Sequence, residues 1–519
     1  MIKPGIDTLY TIAYNTAERN IPKEKQQTIQ PLFRPTTVSV LAHEEDDYVD
    51  FYYERNIPFM LSRVGPCAAT GDVNGDGLED LYVGGSRKLP GQLYLQTKSG
   101  FQQKSIPDFV KYHFSDINAA VFLDADKDGD LDLYTGGGGN FATSASQTFQ
   151  HLLFLNDGKG NFHLKPGATP INTTNCAVLV PMDYDGDGDW DLFAGSRSQP
   201  QDYGTLPASF LLQNDGKGNF TDVTASQAPA FLQLGMITSA TWLPLQKGAQ
   251  PVLTVVGEWM APRSFQYAGG KWKEIENGLS AYKGWWQTIT AGDLDKDGDI
   301  DFIIGNLGEN FYLRPSKTQP VRLWLKDFDN NGIPDKIISQ SIGGKDMPVF
   351  TKREITDQLP GLKKENLIHA EFAKKSVQEL FGKNMDGAVM QEVNSSYSVV
   401  AINDGKGIFS VQPLPINVQL TSLNAAQIKD IDQDGYPDLV TAGNFFDILP
   451  QFCRLDAGYG QVLINNKKGG FSTLTPQESG LRIRGAVRNI VATKQGNKDI
   501  YLFLINNDRP VAYVLGAGK

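Results

Sequence analysis

The chain has few of the features that mark disulfide-bonded, membrane-spanning or nucleic-acid-binding proteins. Its 519 residues include 3 cysteines, Cys67, Cys176 and Cys453, which are odd in number and far apart, so buried free thiols are favoured over a disulfide framework. No apolar run approaches the ~18 residues that cross a bilayer, so the sequence predicts no transmembrane segment. The net charge is -11 and no Lys/Arg-rich block is present, which argues against nucleic acid as a partner.

Signatures of catalysis are also lacking. The 5 histidines are scattered without a two-His ligand spacing, and no Gly-x-Ser-x-Gly turn, phosphate-binding loop or dinucleotide-binding fingerprint occurs. Paired acidic residues are plentiful, but they belong to a repeated motif with the spacing of metal ligands. We therefore find no nucleophile and base that the sequence places together.

A nine-residue acidic motif organises the chain. At residues 124–132 it reads Asp-Ala-Asp-Lys-Asp-Gly-Asp-Leu-Asp, with carboxylates at the first, third, fifth and ninth positions and glycine at the sixth. Oxygen ligands at this spacing can surround one hard cation while the glycine makes a sharp turn, so the motif predicts a calcium loop. Six copies provide the predicted ligands, which are Asp72, Asn74, Asp76 and Asp80; Asp124, Asp126, Asp128 and Asp132; Asp183, Asp185, Asp187 and Asp191; Asp293, Asp295, Asp297 and Asp301; Asp327, Asp329, Asn331 and Asp335; and Asp430, Asp432, Asp434 and Asp438.

The alternative interpretation is that Asp-Gly turns are simply good hairpin connections. A hairpin needs only the turn residues, whereas the ninth carboxylate is kept in all six copies, so we favour about five or six Ca2+ sites. The motif begins like an EF-hand loop but lacks the glutamate at the twelfth position, and short apolar stretches typical of strands flank it. The cation is therefore expected in a strand-to-strand turn.

The acidic loops belong to a longer repeat. Each full unit has a strand, an acidic loop, a strand ending in Gly, a third strand, an Asn-Asp-Gly turn and a fourth strand. Four short antiparallel strands in about 50 residues predict a blade of a β-propeller, and the fold class is all-β. Two more units, at 237–267 and 486–514, keep this order without the acidic loop. The count favours seven blades, with eight as the alternative if the loop at Asp327 heads its own blade.

Two regions depart from the repeat. The loop at Asp327 follows the one at Asp293 too closely for a complete blade, so we place it after the third strand of the fifth unit, at 321–325. A helical insertion is predicted at about 351–385, where Leu367, Phe372 and Leu380 have helical spacing. Residues 1–60 lack the repeat and are expected to pack on, or close, a propeller that spans 61–519.

The motif Asp-x-Asp-x-Asp-Gly-x-x-Asp-Leu between strands, followed by Asn-Asp-Gly-x-Gly-x-Phe, resembles the FG-GAP or VCBS repeat, which also builds integrin α-subunit propellers. Longer strings, such as Gly-Glu-Trp-Met at 257–260 and Gly-Asn-Leu-Gly-Glu-Asn at 305–310, resemble the large VCBS-repeat proteins of the Bacteroidetes cell envelope. The resemblance extends from residue 41 to the C-terminus and implies a calcium-binding propeller at the cell surface, associated with the outer membrane or in the periplasm. It implies no particular ligand, because the fold hosts many functions.

Location is also constrained by the calcium loops and by the start of the sequence. Met1 is followed by a polar, Pro-containing segment without a hydrophobic stretch, so we expect no signal peptide here and either a cytoplasmic protein or a mature piece of a longer one. Proteins of the kind this chain resembles usually carry an export or lipoprotein signal. Open Asp/Asn loops suit the millimolar calcium outside cells, which favours the extracellular or periplasmic location.

Antiparallel strands place the loops after the second strands on the face opposite the acidic loops. Near the propeller axis these loops are expected to form a shallow polar bowl with aromatic platforms, which binds a glycan or a protein. Its candidate residues are Arg87, Asn140, Arg197, Glu258, Trp259, Trp285, Trp286, Asn306, Asn310 and Asn444, and Arg454 and Asp456 could join them. The alternative is that the Gly-Asn and Gly-Ser pairs only form turns and that the Trp residues pack between blades.

Two functions from different classes follow from this site. The first is a non-enzymatic binding or adhesion module, or a subunit of a cell-envelope complex with other envelope proteins as partners. The second is a calcium-assisted lyase that acts on polysaccharides, in which Arg87 or Arg197 would neutralise charge and act with Glu258. Formation of unsaturated product from uronate polymers distinguishes the two.

Overall fold

A computed structural model describes residues 30–143 and 146–516 of the chain. Its strands form eight antiparallel sheets of four or five strands, which confirms the predicted all-β class. The strands are short segments rich in β-branched and aromatic residues and bounded by Gly, Asp or Asn, as strands in turn-rich proteins are. The first 29 residues of the predicted N-terminal segment, 1–60, lie outside the described residues.

Seven of the sheets are propeller blades in which consecutive strands lie side by side. Blade 1 contains Ala68–Gly71, Asp80–Val83, Gln92–Thr97 and Gly100–Lys104; blade 2 contains Asp116–Leu123, Asp132–Gly138, Leu152–Asn156 and Phe162–Leu164; blade 3 contains Asn175–Met182, Asp191–Ser198, Phe210–Asn214 and Phe220–Asp222. Blade 4 contains Met236–Pro244, Pro251–Met260, Arg263–Ala268 and Lys271–Ile275, and its second strand also pairs with Gly284–Trp285. Blade 5 contains Thr288–Gly292, Asp301–Gly305, Val399–Asn403 and Phe409–Pro413; blade 6 contains Leu423–Lys429, Asp438–Gly443, Gln461–Asn465 and Phe471–Thr473.

Blade 7 is completed by a strand from near the start of the chain. Its own strands are Val487–Gln495, Lys498–Ile505 and Val511–Leu515, and the fourth strand is Phe33–Thr36. Phe33 lies opposite Leu515 and Thr36 lies opposite Ala512 in an antiparallel pair. Blades 4 and 7 keep the four-stranded order without an acidic loop, and the preferred count of seven blades is confirmed.

The seven blades form a closed ring. The first, inner strand of each blade contacts the inner strand of the next, and the inner strands of blades 7 and 1 also touch. Residues from all seven inner strands line one cavity on the axis. The hydrophobic core is divided among the interfaces between blades; for example, Val440 and Val462 of blade 6 pack with Phe503 of blade 7.

The eighth sheet is inserted between the second and third strands of blade 5. Its strands, in spatial order, are Lys345–Pro348, Asp335–Ile342, Val321–Lys326 and Val389–Val393. The strand at 321–326 therefore belongs to this sheet and not to blade 5, which corrects the predicted position of the Asp327 loop. Sequence spacing could not show the error, because the true third strand of blade 5 lies beyond the whole insertion, at Val399–Asn403.

The predicted helical insertion lies in the same part of the chain. Its helices are Lys352–Gln358, Leu362–Glu365, His369–Phe372 and Val377–Phe381. The first begins with a capping box in which Thr351 and Glu354 satisfy each other's backbone N–H groups, and Ser376 and Glu379 do the same for the last. Short helices elsewhere span Pro107–Lys111, Thr224–Gln227 and Pro476–Ser479, and 3-10 turns span Asp50–Tyr52, Gln147–Phe149, Pro229–Gln233, Gly382–Met385 and Val418–Leu420.

The two faces of the ring are built differently. The loop face carries the connections between first and second strands, including five of the acidic loops. The opposite face is covered by residues 37–64, 306–398 and 444–460, which we call the cap. One hydrophobic cluster joins the cap to blade 4, and it includes Phe59, Trp259, Trp285, Phe311 and Phe445.

The three thiols, Cys67, Cys176 and Cys453, are free. Burial raises the pKa of the Cys67 and Cys176 thiols to about 12, so both are expected to stay protonated and unreactive. Among the described residues, no helix combines the length and the apolar character needed to cross a membrane.

Candidate metal centres and the capped face

The six acidic loops share one backbone geometry. In each, the N–H of the sixth-position glycine donates to the carboxylate of the first-position aspartate, at 2.8 to 3.2 Å. The sixth residue has a positive φ in every copy, 93° for Gly129, and the fourth residue does too, 62° for Lys127. Since L side chains rarely adopt a φ near 93°, the glycine is required by the turn, as the sequence predicted.

The fifth residue of every loop closes a local turn. Its side-chain oxygen accepts a hydrogen bond from the N–H two residues later, as in Asp128 with Asp130 (2.9 Å) and Asn331 with Ile333 (2.8 Å). The other four copies repeat this contact. Asp and Asn both provide the acceptor, which explains why the position tolerates either residue.

The ninth-position aspartate ties the loop to its blade. Asp132 is fully buried, its Oδ2 accepts from the N–H of Ala125 (2.9 Å), and its Oδ1 accepts from the N–H of Asn156 in the third strand (2.8 Å). Asp80, Asp301 and Asp438 make the same two kinds of bond. The ninth carboxylate therefore orders the blade as well as facing the loop, a role that the sequence spacing alone did not reveal.

Burial of this carboxylate, with other carboxylates nearby, is electrostatically costly. Burial raises the pKa of Asp132 and Asp191 to about 7, and that of Asp80 and Asp301 to about 6. Neighbouring loop carboxylates push in the same direction, whereas backbone N–H donors oppose it. A cation bound among these groups would remove the repulsion.

Carboxylate oxygens converge in five of the loops. Oxygen atoms from three aspartates lie within 4.8 Å of one another in each of these groups, and the groups are Asp124, Asp126 and Asp132; Asp183, Asp185 and Asp191; Asp293, Asp295 and Asp297; Asp327, Asp329 and Asp335; and Asp430, Asp432 and Asp438. Several of these oxygens are buried without a hydrogen-bond partner in the described part of the chain, namely Oδ1 of Asp124, Asp126 and Asp293 and Oδ2 of Asp191. Oxygen-only donors with unsatisfied buried atoms fit a hard cation, so these clusters could hold metal ions.

The sixth loop, at 72–80, differs in having Asn74 at the third position. Its Asp72 carboxylate accepts from the N–H groups of Gly75, Asp76 and Gly77, and Asn74 Oδ1 accepts from Asp76 N–H. The backbone is thus arranged as in the other copies, with an amide oxygen in place of one carboxylate. The identity of all 24 predicted ligands as metal-binding groups stays a prediction.

Neighbouring loops are linked by ion pairs. Lys127, the fourth residue of the blade 2 loop, pairs with Asp189, the seventh residue of the blade 3 loop. In blade 6, Lys467 pairs with Asp434 at 2.9 Å, and its ammonium also lies 5.3 Å from the Tyr436 ring. The sequence did not reveal a role for these lysines, because their ion pairs depend on how adjacent turns approach each other.

On the capped face, the structure corrects the expectation of an open bowl. Of the ten candidate residues, only Arg87 and Asn310 are exposed; the other eight are buried, with Asn140, Trp285, Trp286 and Asn306 completely so. The cap covers them, and the sequence could not show which segment would return over the ring. The alternative interpretation of inter-blade packing describes Trp286, which lies in the core between blades 4 and 5, whereas Trp259 and Trp285 pack beneath the cap.

Arg197 and Glu258 form the centre of a buried polar network. The Arg197 Nε donates to Glu258 Oε1 at 3.0 Å, and the two side chains are 6% and 0% exposed. Tyr203 donates to Glu258 Oε2 (3.3 Å) and accepts from the Trp259 Nε1–H (2.6 Å). Glu258 is therefore enclosed by donors and does not face a polymer-sized cleft, so the proposed lyase pair is not available as a catalytic site.

A second network joins the cap to blades 2 and 3. Asn140 Nδ2 donates to Asp50 Oδ1 (2.7 Å) and to Glu54 Oε2 (3.3 Å). The buried Lys336 of the inserted sheet pairs with Glu54 at 2.9 Å and with Asp202 at 3.3 Å. Buried charges need such partners. Asn140 is thus a structural anchor for the cap rather than a free ligand-binding group.

Four of the remaining candidates, Arg87, Asn306, Asn444 and Trp286, are also engaged. Arg87 pairs with Asp46 of the cap and stacks over the Phe141 ring, with 3.3 Å between the guanidinium carbon and the ring centroid. Asn306 Nδ2 donates to the Ser395 carbonyl, and Asn444 Nδ2 donates to the Gly458 and Gly485 carbonyls. The Trp286 Nε1–H donates to the Met260 carbonyl.

A groove of about 600 Å³ remains open on the capped face, between residues 49–63, 446–454 and 505–508. Tyr52 lies on its wall with 80% of its surface exposed. The exposed Arg454 also lines the groove, stacks over Phe446 at 3.7 Å and lies 3.9 Å from Asp456. We call this site the Tyr52–Arg454 groove. Of the residues that line this groove, only Arg454 was a candidate from the sequence. The aromatic-rich stretch before residue 60 is the sequence feature that points to Tyr52.

Comparisons with known proteins complete the description. No curated protein matches the chain. Among solved structures, a chain from the crystal structure of BBS1N in complex with ARL6DN is 10% identical, with a TM-score of 0.43, covering 94% of this chain and 99% of that one. The V. cholerae biofilm matrix protein Bap1 is 11% identical, with a TM-score of 0.38, covering 94% and 92% of the two chains. The Dos1 propeller is 11% identical, with a TM-score of 0.37, covering 91% and 97%.

The FG-GAP-like repeat family matches residues 72–135, the stretch that contains the acidic loops of blades 1 and 2.

Proposed function

We propose that this protein is a calcium-binding propeller that acts as a non-enzymatic binding or adhesion module, with its ligand held in the Tyr52–Arg454 groove. The observation that carries the proposal is the groove itself, an open site of about 600 Å³ whose walls hold exposed aromatic and cationic side chains. Ligand pockets commonly have volumes of ~300 to 1,000 Å³ and combine aromatic walls with a few polar groups.

The chemistry of the groove favours a glycan that carries acidic groups. Tyr52 offers an exposed ring on which the apolar face of a sugar can pack. Arg454 offers guanidinium N–H donors to a carboxylate, and its stacking on Phe446 holds the guanidinium in place. Asn506, Asn507 and Asp508 line the same groove and can bond hydroxyl groups. A loop of a partner protein is the other ligand expected from the sequence, and the binding test below distinguishes it from a glycan.

Calcium is the proposed ion for the acidic loops. The loops offer several carboxylate and amide oxygens on a backbone of exposed turns, and Ca2+ accepts six to eight such ligands in flexible geometry. Mg2+ demands near-ideal octahedral sites and keeps its waters, so it fits a crowded carboxylate cluster less well. In this proposal the ions stabilise the blades on the loop face and leave ligand binding to the capped face.

The proposed location is the bacterial cell surface or periplasm, where free calcium is high enough for open loops of this kind. Membership in the VCBS-repeat branch of the Bacteroidetes cell envelope, and a role beside other envelope proteins, belong to the same proposal. Fractionation of a native host, with detection by antibody, tests the location; recovery of the protein only from cytosol contradicts it.

Screening the full chain on a glycan array in millimolar CaCl2 tests the function. We expect binding to acidic polysaccharides, and we expect Tyr52→Ala and Arg454→Ala to weaken it by about tenfold or more, since each removes a wall of the groove.

Two matched controls lie outside the groove. Trp190→Ala removes an exposed aromatic residue from the loop face, and Arg353→Ala removes an exposed arginine from a helix of the cap. Both variants should bind as the unmodified chain does. A glycan hit that survives Tyr52→Ala and Arg454→Ala, or hits restricted to protein ligands, would contradict the assignment of the groove to glycans.

A further inference from the structure

The propeller axis contains a second cavity, separate from the Tyr52–Arg454 groove. Its volume is about 270 Å³ and its wall comes from the inner strands of all seven blades. The lining is mostly polar, with amide and hydroxyl side chains that include Asn118, Thr238, Gln287 and Asn424. Such a wall suits a small polar molecule better than an apolar one.

The wall is shaped by a repeated irregularity. Five inner strands have a β-bulge near their start, at Asn118, Ala177, Thr238, Asn424 and Arg488. All five bulged residues line the cavity. A bulge inserts one extra residue and redirects its side chain. In five different blades, therefore, a bulged residue contributes to the wall of the cavity.

One end of the cavity is cationic. Arg488 and Arg197 both line it, and their side chains are 8% and 6% exposed. Arg488 Nη2 donates to Asp447 Oδ2 and to the Arg63 carbonyl, both at 3.0 Å, but its buried Nε–H has no partner among the residues that the structure describes. Burial lowers the pKa of Arg488; the Asp447 carboxylate opposes that shift and the nearby Arg197 guanidinium adds to it. An anion placed here would gain the free Nε–H donor of Arg488, and its charge would add to the carboxylates of Glu258 and Asp447 that already pair with the two arginines.

The rest of the wall can bond hydroxyl groups. Asn424 donates through Nδ2 to the Asn444 and Val487 carbonyls, while its Oδ1 is buried without a partner in the described chain. The Ser239 hydroxyl accepts from the N–H of Ile289 at 3.3 Å, which leaves its own hydrogen available to a ligand. The cavity therefore offers both an acceptor and a donor for hydroxyl groups, in addition to its two arginines.

The cap lies at one end of the cavity and the loop face at the other. Val64, at the end of the cap, lines it beside Pro66 and Ala68. Thr70 is two residues further along the same strand, so its side chain points to the same side as Ala68, and it is exposed. The entrance thus lies among the acidic loops, where bound cations would reduce the repulsion of an entering anion.

We propose that the axial cavity binds a small sugar acid, a polyhydroxylated molecule of monosaccharide size with one carboxylate. The carboxylate lies at the Arg488 and Arg197 end, and the hydroxyl groups meet Asn424 and Ser239. This site is independent of the proposed binding of a polymer in the Tyr52–Arg454 groove, which is on the other side of the cap.

Titration calorimetry of the full chain with glucuronate, in saturating CaCl2, tests the proposal. We expect one binding site, and we expect glucose and acetate to bind at least about tenfold more weakly, because each lacks one of the two recognised groups. Ala177→Leu fills the cavity without changing a charge and should abolish binding, whereas Ala268→Leu, the same change at an exposed hairpin end, should have no effect.

Two more variants keep the proposal falsifiable. Arg488→Gln removes the guanidinium group, with its charge and its unpaired Nε–H, and should reduce glucuronate binding at least about tenfold. The melting temperature is measured to show that the variant is folded. Tyr52→Ala should leave glucuronate binding unchanged, because Tyr52 belongs to the groove. No binding by the unmodified chain, binding retained in Ala177→Leu, or binding lost in Tyr52→Ala would each overturn the axial site.

Discussion

The loop face and the capped face of this propeller are built from similar turn residues, yet they differ in how they are determined. On the loop face, the contacts that shape each acidic loop join residues no more than nine positions apart, with one further bond to the third strand. On the capped face, the decisive contacts join distant segments, such as Glu54 with Lys336. Local sequence therefore specifies the first face, and long-range packing specifies the second.

The loops should also respond differently from the cap when conditions change. Loop carboxylates repel each other unless a cation is present, whereas the buried pairs of the cap satisfy each other within the protein. Removing ions should therefore loosen the loop face, and removing one partner of a buried pair should loosen the capped face.

Chelation should have the largest effect. Each occupied loop stabilises the folded chain by about 2.7 kcal/mol when free calcium is 100-fold above its Kd. We expect EDTA to lower the melting temperature by several degrees and CaCl2 to restore it. In hydrogen exchange, blades 4 and 7, which lack the loop, should lose the least protection. An unchanged melting temperature in EDTA would show that the loops hold no structural ion.

Breaking the buried pair of the capped face comes next. Glu258→Ala leaves the Arg197 guanidinium buried without its carboxylate, which should cost about 3 to 5 kcal/mol of the free energy of unfolding. Glu371→Ala breaks the exposed pair with Lys374 and should cost less than about 1 kcal/mol. Urea unfolding of both variants in saturating calcium measures the difference. Equal costs would mean that the cap does not exclude water from Glu258.

The cap should also respond to pH. Burial raises the pKa of Glu45 from 4.5 to about 8, with the charge of Asp116 adding to the shift and the Asn506 amide and Arg488 opposing it. Because the folded state holds the proton more tightly, this group costs stability as pH rises from about 4.5 to 8, by at most about 5 kcal/mol.

Glu45→Gln removes that titration, so its melting temperature relative to the unmodified chain should increase over this pH range. Glu44→Gln changes the exposed neighbour and should give a flat difference. A flat difference for Glu45→Gln as well would contradict the burial of an uncharged Glu45.

Removal of a single ion should have the smallest effect. Asp126→Ala deletes one carboxylate of the blade 2 cluster, so elemental analysis should find one bound calcium fewer per chain. The free energy of unfolding should fall by about 1 to 3 kcal/mol, because only one site is lost. Asp157→Ala, in the nearby Asn-Asp-Gly turn, should keep the stoichiometry. An unchanged ion count in Asp126→Ala would refute the loop assignment.

The fold could be predicted from the sequence wherever the information is local. The nonapeptide predicted its own turn in all six copies, and the regular order of strands and turns predicted seven blades, including two without acidic loops. The Asp327 loop shows the limit of this argument. It forms the same turn between two strands, but nothing in nine residues tells which sheet those strands join.

Eight of the ten candidate binding residues are buried for the same physical reason. Asn140 and Glu258 are polar residues at the expected positions, and the sequence could not show that Asp50, Glu54 and Tyr203 would reach them and cover them. The pairing partners come from segments whose placement depends on the whole ring. Exposure, unlike residue type, is a property of the assembled molecule, so Tyr52 became a candidate only when the cap was seen.

The strand that completes blade 7 has a consequence for how the molecule is made. Phe33–Thr36 can find its place only after residues 511–515 have left the ribosome, so this strand must wait, unpaired, while the residues between them are synthesised. Contacts so distant in sequence carry a large entropic cost of loop closure and form late. Until then the third strand of blade 7, Val511–Leu515, has an open edge that can pair with other chains, and Phe33–Thr36 covers that edge when it pairs.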